Sequence, residues 1–98
     1  MAGLITTGDT DREVLRTIGK RLATLREAHD LTAVSASRAA GVSRGTLQRA
    51  EAGENSTLLT LVRLLRVYGR LGALETFIPE PEISPLKLLR ESRSAYDG

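Results

Sequence analysis

Apolar side chains recur along this chain at three- and four-residue spacing and never alternate with period two, which predicts helices throughout and requires no strand. Val14, Leu15, Ile18, Leu22, Leu25 and Ala28 mark a first amphipathic helix that ends near His29. Thr10 followed by Glu13, with Asp9 and Asp11 alongside, predicts its start. Gly19 inside it costs about 1 kcal/mol of helix propensity relative to Ala. A short Ala- and Ser-rich helix follows, capped by Thr32 and reaching about Ala40. Gly41 is the natural left-handed stop, and Ser43 caps a third helix from Arg44 to about Ala52. A fourth helix, starting at Ser56 or Thr57, buries Leu58, Leu61, Leu64, Leu65 and Tyr68 and exposes Arg63 and Arg66. A fifth spans about Leu71 to Phe77 and stops before Pro79. Ser84-Pro85 then opens a weaker helical pattern to about Arg93.

The expected architecture is all-α: a compact bundle of about five helices with a central helix-turn-helix, plus a short C-terminal helical extension. Residues 1–9 read as a flexible tail, 10–78 as the domain, and 79–98 as an extension for dimer or partner contact. A chain of 98 residues buries a modest core, so a large binding task falls to a dimer.

The segment from Ala33 to Gly53 carries the most information. Two helices that cross steeply over a tight turn need a small residue where they touch, a residue tolerant of positive φ in the turn, and apolar positions facing inward. Ser37, Gly41 and the set Ala36, Ala40, Val42, Leu47 and Ala50 meet those three needs, while Arg44, Gln48 and Arg49 fall on the outward face.

Charge sharpens this picture. The net charge of +2 is small, yet the stretch from Arg16 through Arg70 carries an excess of six positive charges, as a polyanion-binding middle would; an ordinary solvated helical surface is the plainer reading. Twelve of the fourteen cations are arginine, whose planar fork suits phosphate oxygens and guanine edges. Cysteine is absent, which excludes disulfides, thiolate metal sites and a cysteine nucleophile. His29, the one histidine, falls at a helix end, where packing or capping competes with catalysis or metal binding. No phosphate loop, metal-ligand cluster or nucleophile with a base is present, so no enzyme and no cofactor is expected. No apolar run reaches the roughly 20 residues of a membrane span and no secretory signal is visible, so the expected location is the cytoplasm, away from membranes.

Three stretches, IGKRLATLREAHDLT, AAGVSRGTLQRAEAG and STLLTLVRLLRVYG, together resemble the Xre/Cro-type helix-turn-helix family of phage repressors and small bacterial regulators, over about Ile18 to Phe77. The resemblance implies a homodimer on double-stranded DNA, an autorepressor at a palindromic operator, with the helix after Gly41 in the major groove. It implies that Arg26 pairs with Glu51 as a structural brace. Arg44 stands in the first turn of that helix, where side chains of this motif reach base edges. Gln48 is assigned to bases, and Arg49 stands between base and phosphate. Gly45 either lets backbone amides approach DNA closely or is merely tolerated. The second helix begins with Ala33 where the family commonly has glutamine, leaving Thr32, Ser35, Arg38 and Ser43 to supply backbone contacts. Where a glycine commonly follows the first helix, this chain has Asp30.

The tail LETFIPEPEISPLKLLRESR looks like the extension on family members that accompany toxin genes, including HipB-like antitoxins. Leu71, Leu74, Phe77, Ile78, Ile83, Leu86, Leu88 and Leu89 are more apolar side chains than one small core covers, so dimer contact or contact with a co-encoded toxin or kinase-like protein is expected there, chiefly through Leu71, Leu74, Phe77, Ile78, Leu86 and Leu89.

Overall fold

The structure, a computed structural model, describes residues 4–82 and 84–97, with side chains described as far as Glu91. Ile83 and the first three residues of the tail lie outside the described residues. Among them the chain forms six α-helices and no strand: α1 (Asp11–Ala28), α2 (Ala33–Ala40), α3 (Arg44–Glu51), α4 (Leu58–Val67), α5 (Leu74–Phe77) and α6 (Pro85–Asp97), with a 3-10 turn over Leu71–Ala73 before α5. The fold is all-α, a small helical bundle.

Each of the first four helices starts on a hydroxyl. Thr10, Ser43 and Thr57 accept the backbone N–H of Glu13, Thr46 and Thr60 at 3.2, 3.0 and 3.1 Å. At α2 the arrangement is reciprocal, Thr32 Oγ1 accepting from Ser35 N and Ser35 Oγ accepting from Thr32 N, a capping box with serine in the place usually held by Glu or Gln. The same four helices stop alike, on a left-handed residue flanked by a pair of backward hydrogen bonds. Gly41 (φ 71°) donates to Arg38 O while Val42 donates to Ser37 O. After α1 that place is held by Asp30 at φ 55°, the one non-glycine residue in that region among the described residues.

The core is built from Leu22 of α1, Ala36 and Ala40 of α2, Leu47 and Ala50 of α3, Leu64 of α4 and Tyr68, the residue that caps the C-terminal end of α4. Three alanines among seven core positions let the helices approach closely, and Ser37, buried at the α2–α3 contact, donates to Val34 O at 2.8 Å.

Three expectations are corrected. Leu58 is not buried but 79% exposed. As the first residue of α4 its side chain tilts toward the helix N-terminus and past the end of the packed face. Leu15 and Ala28 of α1 are likewise exposed although they share the apolar stripe. The expected single fifth helix is a 3-10 turn followed by one α-turn.

Candidate nucleic-acid interface

Helix α3 has two faces with different chemistry. Its inner face meets α1 at backbone distance. A Cβ built on Gly19 would stand 2.5 Å from Glu51 O and 2.8 Å from Ala50 O, so the glycine that weakens α1 locally is what lets α3 seat against it. Just past α3, a Cβ on Gly53 (φ 78°) would meet the Arg16 backbone at 2.7 Å.

Arg26 closes the same junction. Its Nε donates to Glu51 Oε2 at 2.8 Å, its Nη2 to Glu51 Oε1 at 3.1 Å, and its Nη1 to Leu31 O at 2.9 Å. One guanidinium thus ties the last turn of α3 to α1 and to the α1–α2 turn. The side chains of the pair are 16% and 14% exposed. Hydrogen bonding to the Glu51 carboxylate holds the Arg26 pKa above its ordinary value, the direction of a pair that favours both charges. Behind it, Tyr68 is buried, and burial followed by the Glu51 charge pushes its hydroxyl pKa up. His29 ends α1, its ring stacked on Tyr68 with centroids 6.1 Å apart and its Nε2 3.1 Å from Tyr68 O.

The outer face of α3 carries Arg44, Gln48 and Arg49, all exposed. Gly41 bends the chain so that this face points away from the core that Leu47 and Ala50 anchor. Arg49 folds back along the helix, its Nη2 donating to Thr46 Oγ1 at 3.3 Å. Its Nη1 lies 3.3 Å from where a Cβ on Gly45 would stand, so Gly45 gives the guanidinium its room. Ser43 Oγ in turn donates to Thr46 Oγ1 at 2.8 Å.

Of the expected backbone-contact residues, Thr32 and Ser35 direct their hydroxyls into the α2 cap, and Ser43 into the α3 cap. Arg38 is exposed in the last turn of α2. Sequence reasoning missed a polar cleft of about 300 Å³ lined by Thr46, Arg49, Asn55, Ser56, Thr57 and Thr60. The run Asn55-Ser56-Thr57 was a readable signal, since it follows α3 directly and ends in the α4 cap. The cleft has hydroxyl, amide and guanidinium donors and no carboxylate, the lining expected for a phosphate oxygen.

Among the described residues no helix is long and apolar enough to cross a membrane, and no His, Asp or Glu group is placed to hold a metal ion.

A family model described as a helix-turn-helix domain matches residues 17–76, more than half of the chain, from within α1 to the third residue of α5. The chain belongs to this helix-turn-helix domain family. The match encloses the Arg26–Glu51 junction, the Gly41 turn and the exposed face of α3, and ends before α6. No curated protein matches the chain.

Proposed function

We propose that this helix-turn-helix protein is a sequence-specific double-stranded DNA-binding regulator of the Xre/Cro type. It acts as a homodimer in the cytoplasm, on a palindromic operator in its own promoter. The observation that supports this reading is the exposed row Arg44, Gln48 and Arg49 on a helix whose opposite face is anchored by backbone contact. In this reading Arg44 and Gln48 read base edges, each good contact giving about 1–3 kcal/mol of discrimination. The N–H groups of Ala33 and Val34 at the start of α2, where a helix supplies no internal partners, meet a phosphate in place of the missing glutamine, and the Thr32–Ser35 box, which takes the Ser35 N–H, holds that helix end in place.

The test measures binding to selected duplexes across salt concentrations. Arg44→Ala is expected to flatten base preference, whereas Arg38→Ala weakens all sequences alike and lowers the salt slope by about 1. A wild-type protein with equal affinity for every sequence would overturn the regulator reading.

A second reading, an antitoxin or adaptor that binds a co-encoded protein, is favoured by the exposure of Phe77, Ile78, Leu86 and Leu89. Loss of partner capture with retained operator binding after removal of residues 80–98 would support it.

A further inference from the structure

The turn between α2 and α3 is held from two sides by different means. Of its three residues Gly41 and Ser43 are exposed, and Val42 packs against the core. Gly41 stands at φ 71°, and a Cβ built on it would meet nothing within 4 Å, so backbone conformation and not crowding requires glycine there. On the α2 side the backbone holds the turn, through Gly41 N to Arg38 O and Val42 N to Ser37 O. On the α4 side a side chain does so. Arg63, in the middle of α4, donates from Nη1 to Gly41 O at 3.1 Å.

The place of this bond gives it more weight than its exposure suggests. Gly41 caps the C-terminal end of α2, where carbonyls without helical partners concentrate partial negative charge, so a guanidinium is favoured there. Gly41 also stands three residues before Arg44, the first residue of α3. A contact made in water adds little to global stability. What it fixes is local: the point at which the chain leaves α4's side and enters α3. Arginines from two neighbouring helices thus hold α3 at opposite ends, Arg26 of α1 through Glu51 in its last turn and Arg63 of α4 through the turn before its first.

We infer that Arg63 is a positioning residue for Arg44, setting the height and tilt at which the first turn of α3 meets a base pair. The inference rests on the regulator reading and deepens it. A base-edge contact needs donor and acceptor about 3 Å apart and well aligned. With its far end braced at Glu51, an eight-residue helix released at its start tilts about that brace. Arg44 then moves most, and Gln48, one turn nearer the brace, moves less.

The experiment uses the full chain with Arg63→Ala, Arg63→Lys and, as control, Arg66→Ala, which removes the same charge from the same helix and leaves the Gly41 bond in place. Without DNA, native-state amide exchange is expected to speed up about three- to tenfold at Val42, Thr46 and Leu47 in Arg63→Ala, and clearly less at Ala52. With DNA, the probes are the selected duplex and its single-base-pair variants, the pairs read by Arg44 and Gln48 being identified from Arg44→Ala and Gln48→Ala. Arg63→Ala is expected to lose about three- to tenfold of the preference at the Arg44 pair and less than about twofold at the Gln48 pair, with the salt slope unchanged. Arg63→Lys, which keeps a donor and the charge, is expected to recover most of both effects.

A salt slope lowered by about 1 in Arg63→Ala would make Arg63 a phosphate contact and overturn the inference. Equal losses at both base pairs with exchange faster everywhere would show a merely structural role and overturn it too. So would unchanged exchange and preference, or the same pattern in Arg66→Ala. Equal affinity of the wild type for every duplex would instead overturn the regulator reading, and the exchange rates would then decide alone whether Arg63 holds the turn.

Discussion

The two faces of α3 differ in what holds them. Inward, Leu47 and Ala50 enter the core, Gly19 allows backbone contact at the last turn, and Arg26 grips Glu51 through two nitrogens. Outward, Arg44, Gln48 and Arg49 are exposed, and the Arg49 guanidinium bonds to Thr46 within α3 itself. An eight-residue helix has too few internal hydrogen bonds to be stable alone, so the inner face must fix its position. In the proposed reading the two faces divide the work: changes on the inner face should act on stability and so on binding only indirectly, while changes on the outer face should act on recognition with the fold intact.

The largest effect is expected at Gly19. Gly19→Val places branched atoms against the Glu51 and Ala50 carbonyls, where backbone must shift, and should destabilise the fold by about 3 kcal/mol in urea denaturation. A loss under about 1 kcal/mol would mean that α1 and α3 are not held at backbone distance.

Arg26→Ala comes next. The pair is mostly shielded but not fully buried, which sets the expected loss at about 2 kcal/mol, between the exposed and buried limits. Adding Glu51→Ala should cost less than the sum of the two single losses, because the second change removes an acceptor already left unpaired. Strict additivity would remove the brace from the account.

On the outer face, Arg44→Ala should leave stability within about 0.5 kcal/mol and reduce base discrimination by about 1–3 kcal/mol. That combination separates the faces most sharply, and a clear fall in stability would blur them.

Smaller effects sharpen the account of the inner side. Asp30 sits at φ 55°, where glycine is unstrained, so Asp30→Gly should raise stability by about 0.5–1 kcal/mol. Tyr68 gives a pH test. Burial, then the Glu51 charge, raises its hydroxyl pKa above the ordinary 10.0, so the folded state keeps this proton more tightly than the unfolded chain. The stability it contributes is complete below pH 10.0 and is lost as pH rises from there toward the higher folded value. Tyr68→Phe should remove that part of the alkaline loss. It should change neutral stability by less than about 1 kcal/mol, since Oη is buried without a hydrogen-bonding partner among the described residues.

What was legible in the sequence follows from whether the physics is local. Thr10, Thr32, Ser43 and Thr57 stand as caps because a side-chain oxygen reaches an N–H three residues on, a relation a sequence displays. Gly41 and the small inward residues Ala36, Ala40 and Ala50 were readable for the same reason. At Gly19 the sequence displays only a propensity cost, because its neighbour Glu51 comes from another helix. The exposure of Leu58 is not legible, because periodicity assigns a face but not how far the packed region extends along it. On the candidate interface, the outward row was legible, whereas the space that Gly45 leaves for Arg49, and the cleft joining Thr46 to Asn55 and Ser56, depend on how side chains and a loop fold back on α3.

If the outer face of α3 meets DNA, its inner face should stay locked while it does so. Titrating isotopically labelled protein with its selected duplex, and following the backbone amides and arginine Nε–H signals by NMR, tests it most directly. Large shifts are expected from Ser43 through Arg49 and at the Arg44 Nε–H, with the Arg26 Nε–H, bonded to Glu51, almost unmoved. Shifts confined to other helices, with α3 silent, would contradict it.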